Sequence, residues 1–298
     1  VSSAADKVIL NPSGSISWHG LSAQTMFLKD LLSKIGVKMQ IFRVGTYKSA
    51  VEPFIATEMS PANREQTLAY INSIWNKISE DVSEARNITV EELNELADTN
   101  MDFQLAETYI NNGMADKLMY KDEVLSYLKT ITDTPEDSKL ATVTLNEMKN
   151  VTSTAIAGKS SDVIAVYYAF GEIDNMAGSS YDEGINSEKV IKHLRDLRND
   201  KKVKAVVLRV NSPGGSAYGS EQIWREVELL KQSKPVVVSM GDYAASGGYY
   251  ISCAANWIIA QPTTLTGSIG IFGMIPDASE LITEKLGVKF DVVKTNKL

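Results

Sequence analysis

The stretch from Lys234 to Ser252, KPVVVSMGDYAASGGYYIS, constrains this chain more than any other. An apolar run, Val236–Met240, reads as a buried strand; Gly241 and Asp242 follow, then Ala244-Ala245-Ser246-Gly247-Gly248. A helical pattern through Tyr249, Tyr250, Ile251, Cys253 and Ala254 begins at once. Only small residues flank Ser246, so a second backbone or a bound molecule can approach its hydroxyl closely. A serine at a sharp strand-to-helix turn has the geometry of an exposed nucleophile on an α/β sheet, although the spelling is not G-x-S-x-G. The same residues also fit a helix-capping serine in a tight turn. The turn alone does not choose between them.

The rest of the chain repeats the alternation. Strand patterns at 163–170, 205–210, 236–240 and 257–260 are separated by helical patterns at 188–198 and 219–231 and by the helix after Ser246. A helix at 277–286 and a strand at 288–293 close the chain. Strands alternating with helices predict an α/β fold with a largely parallel sheet. Toward the N-terminus, 7–11 reads as a short strand. Gln24–Ile35 reads as a helix stopped by Gly36, and 37–44 as a buried strand. Pro61 opens a long helix to about Arg86, Thr89 with Glu92 forms a capping box, and further helices start near Gln104 and Glu123. Periodicity is lost over 131–160, which reads as a linker or crossover. A Gly/Ser-rich loop is expected at 171–187.

Bulk properties bound the function classes. At 298 residues the chain can bury a large core in two domains or lobes. A net charge of −7 argues against a nucleic-acid or anionic-membrane surface. The single cysteine, Cys253, excludes an internal disulfide and a multi-cysteine metal site. No apolar run reaches the length of about 18 residues that a membrane span needs. The chain begins at Val1 rather than Met and is expected to be a piece of a longer one, with any anchor lying upstream.

Two segments match. Gly14-Ser15-Ile16-Ser17-Trp18-His19-Gly20 parallels Gly267-Ser268-Ile269-Gly270-Ile271-Phe272-Gly273, and Lys34-Ile35-Gly36-Val37-Lys38-Met39 parallels Lys285-Leu286-Gly287-Val288-Lys289-Phe290. Order and spacing are kept, so two copies of one module are expected. Residues 1–130 would be the back half of module one and 161–298 the front half of module two, joined by 131–160. Ser246 then falls in one module and Lys48 in the other.

A serine hydroxyl needs a base. His193 lies among lysines and arginines, off the Val190/Leu194/Leu197 stripe, and reads as solvated. His19, beside Trp18, reads as packing. A lysine of lowered pKa is the remaining type of base. An ordinary lysine titrates near ~10.4, so neutrality at about pH 7–8 requires roughly 3–4 kcal/mol against the ammonium, within what burial supplies. Lys48 stands in VGTYKSAV with no acid or second base nearby, which suits that role; a lysine snorkelling at a strand end is the alternative. Asn211-Ser212-Pro213-Gly214-Gly215-Ser216 places two side-chain-free residues before a helix, where N–H groups can face developing negative charge. A plain tight turn fits it too; the Walker phosphate-loop spacing does not.

Together, NSPGG, AASGGYY, LTGSIG and RVGTYKSAVEPF resemble the signal peptide peptidase A (protease IV) family in its long, two-module bacterial form. The resemblance implies a ClpP/crotonase-like fold in each module and a serine endopeptidase with a Ser-Lys dyad, needing neither metal nor cofactor. It implies Ser246 as nucleophile and Lys48 as general base and acid. The N–H of Gly214 or Gly215, with that of Ser246, would form the oxyanion hole, and Ser268 would orient Lys48. It further implies a homotetramer held by a membrane anchor, facing the periplasm or the outside and degrading signal-peptide remnants. Two other readings stay open: a crotonase-like acyl-CoA enzyme, for which only Asp242 offers an acid near the loops, and a non-catalytic scaffold. Whether Ser246 meets Lys48 in the same chain or a neighbouring one is also open.

Overall fold

The computed structural model describes residues 1–149, 161–174 and 184–296. The N-terminal part forms β1 (Ile9–Leu10), α1 (Lys29–Ile35), β2 (Lys38–Arg43), α2 (Glu52–Ile55), α3 (Pro61–Arg86), α4 (Val90–Asp98), α5 (Ala106–Asn111), β3 (Lys117–Leu118), α6 (Lys121–Ile131) and α7 (Leu145–Met148). There follow β4 (Val163–Phe170), β5 (Ile173–Asp174), β6 (Ile185–Asn186), α8 (Ser187–Asn199), β7 (Val203–Ser212), α9 (Ala217–Lys231), β8 (Val236–Ala245) and α10 (Gly247–Ser252). The last elements are β9 (Trp257–Ile259), β10 (Leu265–Gly267), β11 (Phe272–Asp277) and a π-helical turn at Leu281–Lys285.

Two compact units emerge. One comprises residues 1–22 and 72–159, the other 23–71 and 160–298. The segment carrying Lys48 therefore groups with the segment carrying Ser246.

The first unit is helical. Leu93, Tyr109, Met101 and Met114 form its buried centre, with Trp18 and Ile110 packed around them. The expected capping box is present: Thr89 accepts from the Glu92 amide, and Glu92 accepts from the Thr89 amide. β1 pairs in parallel with β3, so the expected strand at 7–11 is reduced to two residues.

The second unit is built on a parallel sheet in the order β10-β8-β7-β4, with β9 alongside the first half of β8. The α/β expectation holds. Alternation explains β7: Val206, Leu208 and Val210 are fully buried while their neighbours are only partly covered, the period-two pattern of a strand with one face on a core. Helices α8 and α9 cover that face through Val190 and Leu194, and through Ile223, Val227 and Leu230. These are stripes at helical spacing. Glu226 of α9, 4% exposed, is paired by Arg195 and Arg198 of α8, so the buried carboxylate is not left as an isolated charge.

Several expectations change. Residues 24–28 are not helical; α1 begins at Lys29, and the Leu28 amide donates to the Pro53 carbonyl instead. β2 is largely exposed rather than buried, because among the described residues it pairs with the antiparallel β11 alone, in a two-stranded ribbon. The expected helix at 277–286 shortens to the π-helical turn. Residues 288–293 form no strand, although their counterpart β2 does. β2 gains a partner in β11, and no described segment supplies one to 288–293. The expected crossover 131–160 and loop 171–187 fall partly outside the described residues.

The core makes a direct prediction. Leu208→Ala should cost about 2–5 kcal/mol in denaturant unfolding. Lys204→Ala on the exposed side of the same strand should cost at most about 1 kcal/mol. Equal losses would contradict this placement of the core.

Candidate active site

Register along three parallel strands assembles the site. Ala244 of β8 pairs with Ser212 of β7 on one side and with Thr266 of β10 on the other, and Ala245 pairs with Gly267. The residues leaving these strands at their C-terminal ends are Pro213-Gly214-Gly215, Ser246 and Ser268. Ligand sites in open α/β sheets form at this end.

Ser246 occupies the step from β8 into α10 with φ 53° and ψ −115°. A non-glycine residue in that region costs about 1–3 kcal/mol and persists only when its surroundings impose it. Two contacts impose it here. The Ser246 amide donates to the Gly267 carbonyl at 2.8 Å. The glycine loop also lies so close that a Cβ on Gly214 (φ 101°) would stand 2.6 Å from the Gly247 nitrogen and 2.8 Å from Ser246 Cβ. The helix-cap alternative loses its basis, since the Ser246 side chain makes no capping hydrogen bond.

Lys48 lies between β2 and α2 and is 6% exposed. Its Nζ lies 2.7 Å from the Ser268 carbonyl oxygen, 3.1 Å from Ser268 Oγ and 3.3 Å from Ser246 Oγ. The chain thus brings Ser246, Lys48 and Ser268 together within itself. Burial pushes the Lys48 pKa below the ordinary 10.5, because desolvation disfavours the ammonium. Nζ donates to the Ser268 carbonyl, the Ser268 hydroxyl and the Ser246 hydroxyl, which together fix the amine against both serines. Ser268, with φ 48°, sits in a turn where Gly270 (φ 138°) lies close to the aliphatic stem of Lys48. The ribbon fixes this turn, since Phe272 of β11 pairs with Arg43 of β2, five residues before Lys48.

Neither histidine joins the site. His193 is exposed and its ring meets the Tyr167 hydroxyl, while His19 Nδ1 faces the Gly20 carbonyl. Asp242 is tied to Asn211. Among the described residues no cluster of His, Cys, Asp and Glu is fit to hold a metal ion.

Of the amides expected to face an oxyanion, that of Gly215 stays open among the described residues, while those of Gly214 and Ser246 are engaged. The Gly214 N–H turns inward to Ser212 Oγ at 3.1 Å, and the Ser246 N–H is engaged by Gly267. Among the described residues, the amides of Gly215 and Gly247 have no acceptor. Gly247 begins α10, where a helix leaves its first N–H groups unsatisfied. The sequence signal for Gly247 was present in the turn itself, in the residue after the serine.

A cavity of about 650 Å³ opens beside Ser246, with Gly215 on its rim and apolar walls from Ala217, Tyr249, Tyr250, Ile269, Ile271 and Phe272. If the close Gly214 contact sets the serine, Gly214→Ala should lower fluorophosphonate labelling of Ser246 about 100-fold, the scale of a roughly 1 Å misplacement. Circular dichroism should remain that of a folded protein. Unchanged labelling would contradict the contact's role.

The family model of Peptidase family S49 matches residues 1–134 and 228–298. Protease 4 of Salmonella typhi is 39% identical over 306 residues, covering all of this chain and 48% of that protein. The chloroplastic serine protease SPPA of Arabidopsis thaliana is 33% identical over 299 residues, covering 99% of this chain and 43% of that protein. The chain thus spans about half the length of these relatives. ClpP1 from Listeria monocytogenes is similar over 30% of this chain and 46% of its own, at 24% identity and a TM-score of 0.25, too slight a likeness to extend to function. The family match covers more than half of the sequence, and the chain belongs to peptidase family S49.

Proposed function

We propose that the chain is the catalytic part of a serine endopeptidase in which Ser246 is the nucleophile and Lys48 the general base and acid. The observation that carries this is the approach of the buried Lys48 Nζ to Ser246 Oγ, with no carboxylate beside it among the described residues. Lys48 takes the hydroxyl proton as Ser246 Oγ attacks the substrate carbonyl carbon. The Gly215 and Gly247 amides receive the oxyanion. The Lys48 ammonium, held by the Ser268 carbonyl and hydroxyl, gives its proton to the leaving amine. Water then enters and loses a proton to Lys48 as it attacks the acyl carbon; the bond to Ser246 Oγ breaks, Lys48 returns the proton to Oγ, and the acyl group leaves as a carboxyl product. Ser268 acts by orienting Lys48. The apolar walls beside Ser246 favour substrates with hydrophobic or small side chains, and remnants of cleaved signal peptides are the proposed natural class. A homotetramer, anchored in the bacterial inner membrane and facing the periplasm or outside, completes the proposal.

A fluorophosphonate mapped by mass spectrometry tests it. Labelling should fall on Ser246 and rise with pH through a midpoint below 10.5, because the reactive form holds neutral Lys48, and a lowered pKa brings that form in at lower pH. Lys48→Ala should slow labelling by about 10²–10⁴-fold, the usual contribution of a positioned base. Labelling that survives the substitution would reject Lys48 as the base, and a full-length assembled sample that never labels at Ser246 would reject the peptidase mechanism.

A further inference from the structure

Lysine is the longest and most mobile of the general-base side chains, carrying about 2 kcal/mol of rotamer entropy. Its amine is only as well placed as the backbone beneath it. The backbone beneath Lys48 is a loop entered through Gly45 (φ 87°), where an added Cβ would meet nothing within 4 Å. Burial of the Lys48 tip alone does not explain why such a loop stays in one position.

A second buried charge lies four residues further on. Glu52, the first residue of α2, is 2% exposed and plays no part in the proposed chemistry. Its carboxylate accepts from Ser60 Oγ at 2.7 Å and from the Ser60 amide at 3.2 Å. It also accepts from Arg43 Nη1 at 3.3 Å. That same Arg43 nitrogen donates to the Lys48 carbonyl oxygen at 3.3 Å. Arg43 ends β2, the strand whose register with β11 fixes the Ser268 turn. One guanidinium thus links the Lys48 backbone to a buried carboxylate, on the strand that places the partner of the Lys48 amine.

Burying a carboxylate costs several kcal/mol before its partners offset it. Here burial pushes the Glu52 pKa up, but the bonds from Ser60, Arg43 and Asn63 outweigh it and hold the group below the ordinary 4.5. The group is therefore ionised when the site works, and its pairing with Arg43 persists across that range. A neighbouring pair, Tyr47 donating to Glu65, is more exposed and does not reach the Lys48 carbonyl.

We propose that Glu52 and Arg43 are positioning residues for Lys48: the buried carboxylate orients the guanidinium, and the guanidinium holds the Lys48 carbonyl so that Nζ stays against Ser246 and Ser268. The inference rests on the peptidase reading given above. Neither residue touches the reacting atoms.

The test compares Glu52→Gln, Arg43→Met and Arg43→Lys with wild type in the full-length protein, counting active sites by fluorophosphonate titration. In Glu52→Gln and Arg43→Met, kcat per titrated site should fall about 10–100-fold, the scale of a small misplacement. KM should stay within about threefold, and the midpoint of the pH profile should rise toward that of an ordinary lysine as the amine leaves its dry position. Arg43→Lys, which restores a donor, should recover part of the loss. A merely structural role would reduce the number of titrated sites and leave turnover per site and the pH midpoint unchanged; that result would overturn the proposal. Should Glu52→Gln fail to fold, Arg43→Met at the less buried member decides by the same criteria. Failure of wild type to label at Ser246 would fall on the peptidase reading instead.

Discussion

The arrangement depends on one desolvated amine. Lys48 is removed from water, and among the described residues no carboxylate stabilises its charge and the polar groups at its tip are those of two serines. An ammonium there is expensive, so the fold biases the group toward the form that can accept a proton. The same two serines have positive φ, as do the glycines beside them at 214, 215, 267 and 270. Backbone strain and a buried base are concentrated in one place, as they are where a site is held ready.

The parallel sheet makes this possible at modest cost. Three strands end in register, so three turns meet at one edge without any long-range device beyond ladder hydrogen bonds. Only Lys48 must come from elsewhere in the sequence. The antiparallel ribbon of β2 with β11 brings it, and places the Lys48 loop and the Ser268 turn on adjoining strands. A core formed by β7, β8, α8 and α9 lies behind the strained residues and holds their scaffold.

Much of this was legible in the sequence. Period two along β7 and helical spacing in α8 and α9 reflect burial of one face, so the pattern and the structure have the same cause. Ser246 stood out because close backbone approach excludes larger neighbours. Lys48 stood out among the lysines for its lack of charged neighbours in sequence, but that pattern also fits a snorkelling lysine, and the family resemblance singled it out as the base. What stayed hidden depends on pairing and direction. The sequence did not show that 24–28 would forgo a helix for a bond to Pro53, or that β2 would lie exposed. Nor did it show which glycine amide turns inward: Gly214 and Gly215 are chemically alike, and only the position of Ser212 separates them. Nothing in the sequence marks Glu52 as buried, because its partner Ser60 lies beyond the end of α2.

The most direct measurement is an NMR titration of the Lys48 side-chain amine in selectively labelled protein, assigned with a Lys48→Arg variant. The desolvated arrangement predicts a midpoint below 10.5 that returns to the ordinary value on unfolding. A midpoint at or above 10.5 in the folded protein would mean that Lys48 is a solvated or paired cation, and would contradict its place as the base for Ser246.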